Sequence, residues 1–239
     1  MESVPNVAAG FEDVSTVWML TQGRGGKAKL YVAVTYSPEN VDSRGHFRPI
    51  TRRSLETASF LAATDDDNSI FSGFPISVVH LKYAAAFDLG GFTYFVVSQK
   101  EDFDSLVSKI SRVCQGGPNL DAYTEITLQC SGSDGSVYSL VQAAHFGPAG
   151  PDLAASLGLH ADEQVLYAVF AKNQGAPGTS DVPLDHSALC VYRMTDILAA
   201  FREAVRGCIQ DGVNAPNKIN YLEGSFCKSF GVSTAAYLE

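Results

Sequence analysis

The sequence predicts an all-β chain of antiparallel strands with one or two short inserted helices. Three observations carry this. β-branched and aromatic residues come in short runs bounded by Gly, Asn, Asp and Ser. Successive runs flank glycine-rich or Asp-Gly turns, the signature of hairpins. Few segments keep a helical period. With 239 residues, 46% of them hydrophobic and 18% charged, the chain can bury a real core and is too apolar to stay disordered.

Residues 14–20 (VSTVWML) read as a strand, residues 22–26 (QGRGG) as a glycine-rich tip, and residues 30–35 (LYVAVT) as the return strand. Residues 78–87 and 92–98 (FTYFVVS) form a second hairpin around 88–91 (DLGG). Residues 125–128 and 137–146 (VYSLVQAAHF) form a third around 133–136 (SDGS). Residues 165–172 (VLYAVFAK) and 188–193 (ALCVYR) add two more strands. Turn residues mark loops at 38–48, 64–69, 115–118 and 173–183. The runs amount to about eleven strands, which at four per blade would fill under three blades of a propeller.

The best helix spans 195–207, where Ile197, Leu198, Phe201, Val205 and Cys208 recur at helical spacing. Thr195 caps its start, Asp196 suits the dipole, and Gly207 marks its end, with Cys208 just beyond. Residues 151–157 read as a shorter helix with Pro151 at its first position. Residues 101–114 are ambiguous. Phe103, Leu106, Val107, Ile110 and Val113 fit a helical stripe, while 107–114 also reads as a poorly alternating strand. Periodicity alone favours the helix there.

The net charge of −9 and pI near 5.0 argue against generic binding to nucleic acid or anionic membrane. No run of about 18 apolar residues is free of charge, so no membrane span is predicted. The most apolar stretch, 78–97, is broken by His80, Lys82, Asp88, Gly90 and Gly91. Residues 1–14 have neither a basic start nor an apolar core and do not read as a signal peptide.

Catalytic and metal motifs fail on their chemistry. In residues 23–27 (GRGGK), Ala28 follows the lysine and Thr21 stands where a phosphate loop needs glycine, so a hairpin tip is the reading. Residues 65–68 (DDDN) lack the glycine and distant glutamate of a calcium loop and read as a solvated acidic loop. Asp185, His186 and Ser187 are consecutive, so their side chains diverge, and no nucleophile elbow is present. His80, His145 and His160 have no sequence-near Cys or carboxylate partner. In residues 131–136 (SGSDGS), Asp134 directly precedes Gly135, giving a turn dipeptide rather than the aspartate box of sialidases. Trp18 lies in a strand and is expected in the core. The five cysteines, Cys114, Cys130, Cys190, Cys208 and Cys227, form no C-x-x-C pair and have no His at ligand spacing, which argues against zinc. Their long spacings suit disulfides, and the odd count leaves one thiol over.

Residues 109–114 (KISRVC), 123–130 (YTEITLQC), 138–144 (YSLVQAA), 157–171 (LGLHADEQVLYAVFA) and 187–190 (SALC) follow in an order that resembles the sema domain of plexins. Residues 15–20, 28–33 and 94–99 fit the same alignment, which weakens over 38–77 and after Cys208. Scatter-factor receptor tyrosine kinases look similar to a lesser degree, and semaphorins less still. The resemblance implies that residues 1–239 are one partial sema domain, with no second domain: the central part of an extracellular, seven-bladed propeller with four-stranded antiparallel blades. It implies a strand over 109–113, against the periodicity. It pairs Cys130 with Cys190 and Cys208 with Cys227, and leaves Cys114 without a partner in this chain. The chain holds no N-x-[ST] sequon, a departure from such ectodomains.

The function implied is that of a cell-surface receptor fragment that binds a semaphorin-type protein ligand and signals through a distant cytoplasmic region. A receptor homodimer is compatible with it; an enzyme activity, a cofactor, a metal and a nucleic-acid partner are not expected. Two rival readings are the ectodomain of a scatter-factor-type receptor and, from another class, a propeller glycosidase. The glycosidase would need converging carboxylates that no motif here provides.

Overall fold

A computed structural model describes residues 14–22, 28–36, 48–55, 69–70, 80–100, 106–116, 120, 123–176 and 180–211. The first sheet has the order β1 (Thr16–Gln22), β2 (Ala28–Val34), β3 (Ile50–Ser54), β4 (Ser69–Ile70). The second has the order β5 (Leu81–Leu89), β6 (Phe92–Lys100), β7 (Leu106–Cys114), β8 (Thr124–Leu128). A short ladder follows, β9 (Cys130–Ser131) with β10 (Val137–Tyr138). The third sheet has the order β11 (Leu140–Pro148), β12 (Gln164–Asn173), β13 (Pro183–Arg193). Helix α1 (Gly150–Leu157) joins β11 to β12, and α2 (Met194–Asp211) follows β13. All the pairings are antiparallel. No described helix is long and apolar enough to cross a membrane.

The fold is therefore all-β with few helices, as the strand pattern predicts. The first strands of the three sheets are neighbours, β1 beside β5 and β5 beside β11. Each seam is stitched by hydroxyls. At the first, Ser15 Oγ donates to the Tyr83 carbonyl at 2.7 Å and the Tyr83 amide donates to Thr35 Oγ1 at 3.1 Å. At the second, the Val141 amide donates to Ser108 Oγ at 2.8 Å, and that hydroxyl donates to the Ser139 carbonyl at 2.7 Å.

The second sheet is the middle layer. Along β6, Phe95 and Val97 pack with Tyr31, Ala33 and Ile50 of the first sheet. Tyr94 and Val96 point the other way, toward Leu166 and Phe170 of β12 and Phe201 of α2. A strand buried on both faces reads as a continuous apolar run, which is what residues 92–97 are. Its hairpin with β5 turns on Gly90 (φ 59) and Gly91 (φ 82), with Leu89 opposite Phe92. Positive φ at both central residues is the turn that matches strand twist and favours glycine.

Strand β7 decides the ambiguity for sheet over 106–114, as the family resemblance implies, while residues 101–105 lie outside the described residues. Its residues pair with β6 on one side and β8 on the other. Those ladders outweigh a helical stripe whose polar side would otherwise have faced water. Helix α2 uses the predicted stripe, burying Ile197, Phe201, Ala204 and Val205. It clamps Arg112 of β7, whose guanidinium sits 4.3 Å from the centre of Phe92 and 4.4 Å from that of Phe201.

Four expectations are corrected. Residues 125–128 and 137–146 do not form a hairpin; β8 pairs with β7, and β11 pairs with β12. The run breaks at Ser139, where the chain crosses between sheets and Ser108 replaces a strand partner. The Asp134-Gly135 turn exists, but it closes the small β9–β10 ladder. There the Ser136 amide donates to Asp134 Oδ1 at 2.9 Å, and Gly135 has φ 80. Gly207 does not end α2, which continues to Asp211, so Cys208 lies within the helix rather than beyond it. Trp18 is not core but 63% exposed, because β1 turns Val17 inward and its neighbour outward. The glycine-rich tip at 23–27, the acidic loop at 65–68 and Cys227 lie outside the described residues.

Candidate protein-interaction surface

The histidines and the hydrolase-like triplet are scattered. Asp185, His186 and Ser187 are consecutive exposed residues of β13, so His186 points to the opposite face from its neighbours. His145 is exposed on β11, its ring 6.4 Å from that of Tyr167. His160 sits in the turn before β12, its carbonyl accepting the Glu163 amide at 3.0 Å. His80 Nδ1 lies 3.6 Å from Asp181 Oδ2; burial holds its imidazole below the usual range, and Asp181 partly offsets this.

The cysteines are more informative. Cys130 and Cys190 are joined in a disulfide, with their Cα atoms 5.9 Å apart and a sequence separation of 60. The bond ties β9 to β13 across the inward face of the third sheet, and Cys130 is buried there beside Phe170 and Tyr138. Next to it, the Tyr192 hydroxyl donates to the Gln129 carbonyl at 2.9 Å. Its phenol is raised above the ordinary range by burial. Cys114 is a partly buried free thiol at the end of β7, opposite Phe92. The expected pairing of Cys208 with Cys227 lies outside the described residues.

The sequence reading missed a buried polar cluster on the side of the second sheet that faces the first. The Glu125 carboxylate is fully buried and accepts four bonds. Lys109 Nζ donates to Oε1 at 2.9 Å, Gln99 Nε2 to Oε1 at 3.0 Å and to Oε2 at 2.9 Å, and the Tyr123 hydroxyl to Oε2 at 2.7 Å. Burial, and after it the carboxylate beside it, push the Tyr123 phenol well up. Charges this deep survive only when paired and hydrogen-bonded. The signal was in the text: a glutamate in YTEITL and a lysine in KISRV, each inside an apolar strand. The cluster holds β6, β7 and β8 in one register and touches no open surface of its own.

Several exposed apolar residues lie on the first and third sheets. On the outer face of the third sheet, Val169 (39% exposed) stands opposite Leu189 (62%), and Ala143 of β11 flanks them. Toward the start of β13, Leu184 is also open. On the first sheet, Trp18 and Leu20 share the outward side of β1. Such surfaces suit association with other protein rather than chemistry on a small molecule.

Comparison with known proteins gives these features a context. Residues 141–229 match the family model for the sema domain. Human Plexin-A4 is 27% identical over 217 residues, covering 86% of this chain and 11% of the relative. Mouse Plexin-A2 is 30% identical over 159 residues, covering 62% of this chain and 8% of the relative. The solved full extracellular region of plexin A4 superposes on 81% of this chain and 23% of its own, with a TM-score of 0.66 at 24% identity. The chain thus spans about a tenth of the curated relatives' length. The chain is thus similar to plexins in sequence and to the plexin A4 extracellular region in fold, and its residues 141–229 match the sema domain.

Proposed function

We propose that this chain is part of the ectodomain of a plexin-like cell-surface receptor that recognises a semaphorin-type protein ligand. The observation that carries the reading is similarity to human Plexin-A4 across 86% of the chain, in the fold of the plexin A4 extracellular region. The side-by-side placement of β1, β5 and β11 suits three successive blades of a seven-bladed propeller, the first strand of each nearest the axis. Extracellular exposure fits the Cys130–Cys190 disulfide. A second bond between Cys208 and Cys227 completes the proposed framework.

The chain acts by binding. Affinity at such surfaces rests on a few packed anchors and complementary charge. A chain of net charge −9 favours a partner with a basic face, and the association weakens as salt rises. The test is surface plasmon resonance of the complete parent ectodomain against the semaphorins of the same organism, at low and high salt. Saturable binding to at least one member, weakening with salt, is expected. No binding to any member, with turnover of a glycoside by the same preparation, would replace the receptor reading with the enzyme one.

A further inference from the structure

We propose that Arg112, Tyr94 and Arg202 form a binding site for a small monovalent anion such as chloride, where α2 packs on the second sheet. The ladders place the first two side by side: Tyr94 of β6 stands opposite Arg112 of β7, and Arg112 opposite Thr124 of β8. Arg112 is only 7% exposed, and its guanidinium rests on the rings of Phe92 and Phe201. Tyr94 completes this aromatic box, its ring 6.0 Å from that of Phe201 and 6.4 Å from that of Phe92. Aromatic faces accommodate a cation, but they leave the N–H edge of the guanidinium to be satisfied elsewhere.

That edge meets too few acceptors. Arg112 Nε donates to Thr124 Oγ1 at 3.3 Å, and among the described residues no carboxylate pairs with the guanidinium. The ionisable groups that bear on it are Tyr94, Arg202 and Cys114. Burial raises the Tyr94 phenol and keeps it neutral. Arg202, on the exposed side of α2, adds a second positive charge. The Tyr94 hydroxyl, on a fully buried ring, makes no hydrogen bond of ordinary geometry. A buried cation without a counter-ion and a buried donor without an acceptor are both unfavourable. One anion relieves both, whereas water would satisfy the donors and leave the charge. The shielding sets the size of the occupant: a monatomic anion needs little more room than water, while a partner's acidic side chain would have to displace Phe201.

The test is thermal unfolding of the full chain at constant ionic strength, with gluconate replaced stepwise by chloride, together with anomalous diffraction from crystals soaked in bromide. A saturable rise of about 2 °C in the midpoint is expected as chloride enters, with a bromide peak at the Arg112 edge. Tyr94→Phe keeps the ring and removes the donor, and should abolish most of the rise. Arg202→Gln, at an exposed position, should weaken the apparent chloride affinity about threefold. Arg193→Gln, an exposed arginine on the third sheet, should leave the response unchanged. The proposal is overturned by a midpoint indifferent to which anion supplies the ionic strength. It is equally overturned by a chloride response that Tyr94→Phe and Arg202→Gln both leave intact, or by a water in place of bromide at the guanidinium.

Discussion

Strands β6 and β13 divide their residues in opposite ways. In β6, even Ser98 and Gln99 are buried, with layers packed on both faces. In β13, Leu184 and Leu189 are exposed. Side-chain polarity does not sort these residues into inside and outside; the supply of partners does. The second sheet can bury a lysine and a glutamate because four bonds converge on one carboxylate. On the outer face of the third sheet, α1 packs over Val165, Tyr167 and Val191 and leaves Leu184 and Leu189 in water. Polar groups inside a closed layer are high-stakes, while apolar groups on an open one are nearly free to change.

The contrast can be broken most sharply at Glu125. Glu125→Ala strands the Lys109 ammonium, the Gln99 amide and the Tyr123 hydroxyl together, and a loss of about 5 kcal/mol in urea unfolding is expected, the upper end for breaking a buried pair. A loss below about 1 kcal/mol would mean that water reaches the cluster and that the middle layer is not closed. Next comes the covalent tie of the third sheet. Replacing Cys130 and Cys190 together by serine releases a 60-residue separation, and loop-closure entropy sets the cost at about 4 kcal/mol. An unchanged thermal midpoint would show that packing alone holds β9 on β13.

Leu189→Thr should change stability by no more than about 0.5 kcal/mol, as at an ordinary surface position. A larger loss in urea titrations at low protein concentration would mean that this face is covered after all. The smallest effect is the pH dependence at the His80–Asp181 contact. His80 is held below its ordinary value of 6.5, chiefly by burial. As pH falls through that value the unfolded chain takes up a proton before the folded one does. Stability therefore drops below about pH 6.5 and levels off once the folded imidazole is also charged. His80→Gln should flatten this part of the profile; urea midpoints at pH 7.5 and 5.5 compare the two proteins.

What the sequence revealed was local. Residues 88–91 announced their turn because two glycines at positive φ leave few alternatives. Helix α2 showed itself through one apolar stripe, and β12 through a run too apolar for any exposed strand. What stayed hidden depended on partners distant in the chain. The part of the helical stripe within 106–114 stayed idle, since β6 and β8 offered β7 two ladders. The break at Ser139 depends on a hydroxyl 31 residues earlier. The Glu125 cluster draws on three strands, and no spacing rule joins Gln99, Lys109 and Glu125. Trp18 misled because a large aromatic in a strand usually finds a neighbour.

That exposed indole has a spectroscopic consequence. Trp18 is the single tryptophan of the chain, on the outward side of β1 and 63% exposed. Its emission is already that of a solvated ring in the folded state, so it is a poor reporter of unfolding. Tyrosine signals, from rings as buried as Tyr31 and Tyr94, follow the core instead. Conversely, any protein layer that settles on the first sheet must shade Trp18 from a soluble quencher. The molecule carries its own optical gauge of whether that face is covered.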